Sequence, residues 1–145
     1  MTLNHINLCS SNVPALTRTL ESHFGYRTVQ AGTVPNEPWA TDPGSHFAML
    51  IGADDSNLVI TQINPVQNGS AYPAGFHFGI VQVSASAVTA KHDELASAGL
   101  NPGPVSTFDA LGATWTAFSC PLGDGLEIEV NYRTPSDVLD TLDRL

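Results

Sequence analysis

Positive charge is what this sequence has least of. Five Lys and Arg stand against 14 Asp and Glu in 145 residues, for a net charge of −9. Such a chain repels phosphate backbones, which argues against nucleic acid and anionic membrane surfaces as partners. An acidic cleft suits metal ions, cations or neutral organic molecules instead. Cysteine is scarce too: Cys9 and Cys120 are the two thiols, and without an export signal they are expected reduced rather than bridged. No apolar run is long enough to span a membrane, and Met1-Thr2-Leu3-Asn4-His5 lacks the basic start and apolar stretch of a signal peptide. The expectation is a cytoplasmic location. Charged residues are 13% of the chain and hydrophobic residues 42%, a globular rather than a disordered composition.

What is present is pattern. Leu3 to Cys9 alternates and reads as a strand with His5, Asn7 and Cys9 on one face. Ser10-Ser11-Asn12 offers a helix cap, Pro14 suits a first turn, and Val13, Leu16, Leu20 and Phe24 recur at helical spacing before Gly25. Strands are expected over Tyr26 to Ala31, His46 to Ile51 and Leu58 to Ile63, then a polar linker over Gln67 to Ala74. After it the pattern restarts. Phe76 to Val83 is a strand with His77 near its start, Ser84-Ala85-Ser86 is a second cap, and a helix runs from about Ala87 to Ala98. Strands follow near Val105 to Asp109, Ala113 to Ser119 and Gly125 to Asn131, and a short helix lies within Pro135 to Leu145, capped by Thr134 or Ser136.

The chain is thus a β-α-β-β-β unit written twice, about residues 3–63 and 75–131. Neither copy is large enough to bury a sheet face alone. The expected architecture is α+β: a single domain over 1–145 in which two paired modules form one curved, barrel-like mixed sheet cleft with helices outside.

The last strand carries the unusual chemistry. Pro121, Gly123 and Gly125 read as a turn, after which Leu126, Ile128 and Val130 alternate with Glu127 and Glu129. Residues two apart share a strand face, so both carboxylates project from one side. That face is either wet or meets a cation. His23 and His92 fall in helices and read, with His46, as ordinary surface or packing histidines. Trp39, Phe47, Met49 and Trp115 read first as core.

The doubled unit resembles the vicinal oxygen chelate superfamily of glyoxalases, fosfomycin- and bleomycin-resistance proteins and extradiol dioxygenases. The resemblance rests on Leu3-Asn4-His5-Ile6-Asn7-Leu8, Phe24-Gly25-Tyr26, His77-Phe78-Gly79-Ile80 and Pro121-Leu122-Gly123-Asp124-Gly125-Leu126-Glu127. It implies a divalent metal ion (Fe, Mn, Ni or Zn) on His5, His77 and Glu127, a two-histidine, one-carboxylate donor set. Glu129 faces the same way and is the candidate catalytic base or the replacement ligand. Asn7, Thr61, Trp115 and Tyr132 are candidate substrate contacts. The fourth ligand position of some family members falls on Val59, which argues against a four-ligand site. Few cations are available for a glutathione or phosphonate substrate. The expectation is a metal-dependent lyase, isomerase or dioxygenase acting on a small oxygenated substrate; the alternative is a metal-free drug-binding protein of the bleomycin-resistance kind. The resemblance also implies a homodimer.

Overall fold

The computed structural model describes residues 3–40, 42–65 and 70–142. The chain divides into two compact units, Met1–Ala71 and Tyr72–Leu145. In the first unit the order is β1 (Ile6–Ser10), α1 (Val13–His23), β2 (Arg27–Thr33), β3 (His46–Ile51) and β4 (Asn57–Gln62). In the second it is β5 (His77–Val81), α2 (Ala85–Ser97), β6 (Ser106–Ala110), β7 (Ala113–Gly123), β8 (Leu126–Arg133) and α3 (Asp137–Leu142). Strand pairing closes within each unit and gives two four-stranded mixed sheets, ordered β1-β4-β3-β2 and β5-β8-β7-β6. The first and last strands of each unit run parallel; the other pairs are antiparallel. The doubling read in the sequence is therefore a doubling of topology. Among the described residues no helix is long and apolar enough to cross a membrane.

Each helix starts where its cap dictates. The Asn12 side-chain oxygen accepts the Ala15 N–H at 3.1 Å, and Ser84 Oγ accepts the Ala87 N–H at 3.1 Å. Val13, Leu16 and Leu20 of α1 are buried, as are Leu8, Ala48, Leu50, Leu58 and Ile60 of the sheet beneath. In the second unit Val88 and Leu95 of α2 are buried, with Phe118, Cys120, Leu126, Ile128 and Val130. Burial of each Leu, Ile or Val contributes about 1.5–3 kcal/mol. The alternation of β8 follows from this: Leu126, Ile128 and Val130 fill the core, so Glu127 and Glu129 must face the other way.

Some boundaries depart from expectation. β1 begins at Ile6, not Leu3, so His5 stands just before the strand. The reason lies in its partner: β4 begins at Asn57, whose amide donates to the Asn4 carbonyl at 3.2 Å and ends the ladder there. Pro121 is not in a turn but inside β7, opposite Glu127 and close to a register shift between Pro121 and Gly123. A missing N–H is harmless there, because β6 pairs with β7 only as far as Ala117. The turn itself is Asp124-Gly125, both at positive φ (55° and 82°), the backbone that a two-residue hairpin loop requires. The short C-terminal helix lies within the expected stretch. It follows Ser136, whose carbonyl accepts the Asp140 N–H at 2.8 Å; Thr134 instead accepts the Thr114 N–H at 2.9 Å. Part of the expected linker, and the last three residues, lie outside the described residues.

Candidate functional site

The two histidines hold the same place in their units. Each stands seven residues before its helix cap, His5 before Asn12 and His77 before Ser84. His77 opens β5, and its parallel partner on β8 is Glu127. Further along, Gly79 lies opposite Glu129 and Val81 opposite Asn131. His77, Glu127, Glu129 and Asn131 thus share the sheet face opposite the buried Leu126, Ile128 and Val130.

The bonding on that face sets its chemistry. His77 Nδ1 lies 2.8 Å from the Gly75 carbonyl oxygen, which can only accept. Nδ1 is therefore the donor of this bond, and Nε2 points away from it. Nε2 is 3.9 Å from Glu129 Oε2. The other oxygen, Glu129 Oε1, accepts from Asn131 Nδ2 at 2.7 Å. Asn131 is only 7% exposed, so its amide is held by packing. Glu127 sits two residues before Glu129, directly across from His77. On the core side, burial first and the charge of Glu127 second push the Cys120 thiol above its ordinary pKa. Within either unit, among the described residues, no three His, Cys, Asp or Glu are already gathered as a metal cluster.

The first unit repeats the histidine without the acids. His5 Nδ1 lies 2.8 Å from Asn4 Oδ1, and its Nε2 points away from that bond in the same sense as in His77. His5 lines a hollow of about 300 Å³ with Val29, Met49, Asn57 and Val59. The register revises the position that sequence reasoning assigned to Val59. Ile6 pairs with Leu58 as Phe78 pairs with Ile128. Asn57 is therefore the counterpart of Glu127, and Val59 the counterpart of Glu129. Sequence reasoning missed Asn57 because Asp54-Asp55-Ser56-Asn57 reads as one polar turn; the signal that could have found it was the equal spacing of the two ladders. Asn7 and Thr61 lie on adjacent strands, and the Thr61 hydroxyl donates to Asn7 Oδ1 at 3.3 Å.

Trp115 and Tyr132 do come together. They line a hollow of about 490 Å³ in the second unit with Val81, Asn131, Arg133 and Asp140. Trp115 Nε1 donates to the Ala110 carbonyl at 3.1 Å, and its ring stacks on Phe108 at 6.4 Å. The cation of this hollow is committed: Arg133 donates to Asp140 Oδ1 at 2.9 Å. Trp39 is 71% exposed and takes no part in a core. The remaining histidines are apart from the candidate face: His23 ends α1, His46 opens β3, and His92 packs edge-on against Phe118 at 5.3 Å.

No family model and no curated protein sequence matches the chain. Solved structures do. A possible glyoxalase from Bacillus cereus is 28% identical with a TM-score of 0.66, over 90% of this chain and 97% of that one. A glyoxylase/bleomycin resistance protein/dioxygenase domain from Frankia sp. EAN1pec is 14% identical with a TM-score of 0.66, over 92% and 98%. A variant of the fosfomycin resistance protein FosX from Listeria monocytogenes, in complex with Mn(II) and 1S,2S-dihydroxypropylphosphonic acid, is 16% identical with a TM-score of 0.62, over 89% and 90%. These neighbours are vicinal oxygen chelate proteins, and this chain has the fold of that superfamily.

Proposed function

We propose that the protein is a glyoxalase-like, divalent-metal-dependent enzyme acting on a small, neutral, oxygenated organic substrate. The observation that carries this reading is the matched state of two equivalent histidines. His5 and His77 each donate through Nδ1 to an oxygen one or two residues upstream, and each presents a bare Nε2. Metal-binding histidines are oriented by such a bond through the other nitrogen. Glu127, directly across the ladder from His77, completes the proposed donor set of His5, His77 and Glu127. Two imidazoles and one carboxylate suit Fe, Mn, Ni or Zn and leave positions open. When bound, such an ion supplies Lewis acidity and a template for two vicinal oxygens.

The chain's own groups would do the rest. Glu129 Oε2, unshared with Asn131, is the proton acceptor. Asn7 and Thr61 in the first unit, and Trp115 and Tyr132 in the second, are the proposed substrate contacts. The Arg133–Asp140 pair leaves the hollow beside Trp115 without a spare cation from Arg133, which favours a neutral substrate over a phosphonate. A homodimer belongs to the same reading, and light scattering tests it.

The test of function is metal content after native purification, followed by melting in added Mn(II), Fe(II), Ni(II) or Zn(II). We expect close to one ion per chain and a rise in Tm; saturation at 100 times Kd adds about 2.7 kcal/mol. His77→Ala should abolish both. A chain that purifies without metal and gains no stability from any of the four ions overturns this reading in favour of testing the metal-free drug-binding alternative.

A further inference from the structure

We infer that Asn131 is a positioning residue that presents Glu129 to His77 through one oxygen only. This rests on the reading of His77 as a metal ligand, and it adds a residue and a division of labour which that reading does not contain.

A glutamate on an exposed strand face ordinarily samples several rotamers, and both its oxygens are equivalent acceptors. Glu129 is not in that situation. Oε1 is bonded at 2.7 Å to the Asn131 amide, and Oε2 lies 3.9 Å from His77 Nε2. Asn131 and Glu129 are two residues apart on β8 and so share a face. The Asn131 backbone is fixed as well: its carbonyl accepts the Gln82 N–H at 2.7 Å as the ladder with β5 ends. The amide is thus anchored to the same pair of strands that carries His77 and Glu129.

A glycine lies beside this pair. Gly79 lies between His77 and Val81 on β5, opposite Glu129. A Cβ built there would stand 3.4 Å from Asn131 Nδ2 and 3.9 Å from Glu129 Oε1. A methyl group therefore fits there in ordinary van der Waals contact; a larger side chain would extend over the Asn131–Glu129 pair on the same face. The first unit offers the contrast: the residue equivalent to Gly79 is Asn7, and the one equivalent to Glu129 is Val59, which has no carboxylate to hold.

The chemical consequence is division of labour between two oxygens. The amide donor draws charge toward Oε1 and fixes the carboxylate plane, so that Oε2 alone faces the His77 side. Glu129 then acts there as a one-oxygen acceptor for a substrate proton rather than as a freely turning carboxylate. Removing the amide frees both oxygens and lets the side chain rotate away.

The test uses the full-length chain in two states. In the metal-free protein, the ring nitrogens of His77 are observed by long-range proton–nitrogen NMR in the wild type and in the Asn131→Ala, Glu129→Gln and Gly79→Ala variants, and in the Asn131→Ala/Glu129→Gln double variant. We expect Asn131→Ala to move the His77 Nε2 resonance in the same direction as Glu129→Gln, Gly79→Ala to leave it near its wild-type position, and the double variant to match Glu129→Gln alone. In the second state, Mn(II) affinity is followed by electron paramagnetic resonance. Asn131→Ala should change Mn(II) affinity in the same direction as Glu129→Gln, and should do nothing further once Glu129 is Gln. An unmoved His77 resonance in Asn131→Ala, or a shift that adds fully to that of Glu129→Gln, overturns the inference. A wild type that shows the expected His77 shifts but takes up no Mn(II) leaves Asn131 as the residue that holds Glu129 and overturns the metal reading instead. A loss of stability without a His77 shift assigns Asn131 to packing alone and overturns its positioning role.

Discussion

The two units share a scaffold and differ in where they spend polarity. Leu58 and Ile60 in β4 match Ile128 and Val130 in β8, and all four are buried. On the opposite face the strands diverge: Asn57, Val59 and Thr61 in the first unit stand where Glu127, Glu129 and Asn131 stand in the second. The core is compensated as well. Leu20 over a sheet containing Ala48 corresponds to His92 over Phe118, a small strand residue under a large aliphatic side chain against a large strand residue under an imidazole. The two copies agree in what they bury and differ on the opposite face. One carries a histidine without carboxylates; the other carries a histidine beside two glutamates.

That comparison can be broken most severely at the shared core. Leu58→Ala and Ile128→Ala remove equivalent buried side chains, 3% and 0% exposed, and each should cost about 2–5 kcal/mol in chemical denaturation. Costs that differ by more than the range for such sites would argue that the two copies do not bear load alike. The next largest contrast lies on the polar face. Glu127→Ala should lower Mn(II) affinity by more than about 100-fold, or about 2.7 kcal/mol, whereas Asn57→Ala at the equivalent site should change it by less than about 3-fold, well under the cost of losing a supporting group. Isothermal titration distinguishes the two, and equal losses would show that both units ligate through β4 and β8 alike.

A smaller effect comes from the helices. Thr17 and Thr89 are each five residues past their caps. Among the described residues the buried Thr17 hydroxyl has no hydrogen-bond partner, while Thr89 Oγ1 donates to the Ala85 carbonyl at 3.4 Å. Thr17→Val removes an unsatisfied group and should raise stability by about 1 kcal/mol. Thr89→Val, at an exposed site, should stay within about 0.5 kcal/mol of wild type. A Thr17→Val variant that melts earlier would mean that the hydroxyl is satisfied in solution. The smallest effect is alkaline. Burial raises the Cys120 thiol above 9.0, its ordinary value here. The folded state therefore favours the neutral thiol, and the unfolded chain ionises first. Stability is unaffected below that value and declines as pH rises above it; Cys120→Ala should flatten the decline above pH 9 in urea melts. At pH 8, iodoacetamide should modify part-exposed Cys9 well before buried Cys120.

The repeat, the element order and the face on which the glutamates stand were legible in the sequence, because caps and alternation are local signals. Asn12, Ser84 and the Leu126-Ile128-Val130 series sufficed for those. Register was not legible, because it is set by pairing between distant segments. Hence Val59 stood in for Asn57, and Pro121, whose turn chemistry is local, was read as turn when the absence of a β6 neighbour lets it remain in β7. The same limit hid Asn131. Its partner is two residues away, but its meaning depends on His77, which only the β5–β8 ladder brings beside Glu129.

That ladder has a consequence for how the protein is made. His77 and Glu127 face each other across a parallel pair, yet they are about fifty residues apart in the chain, with a helix and two strands between them. Closing so long a loop carries an entropic cost that must be met before the pairing can reward it. An ion gripping both ends would act as a clasp on that step, rewarding only chains that had completed the whole circuit. Metal uptake would then serve as a proofreading signal for assembly as well as a tool for chemistry.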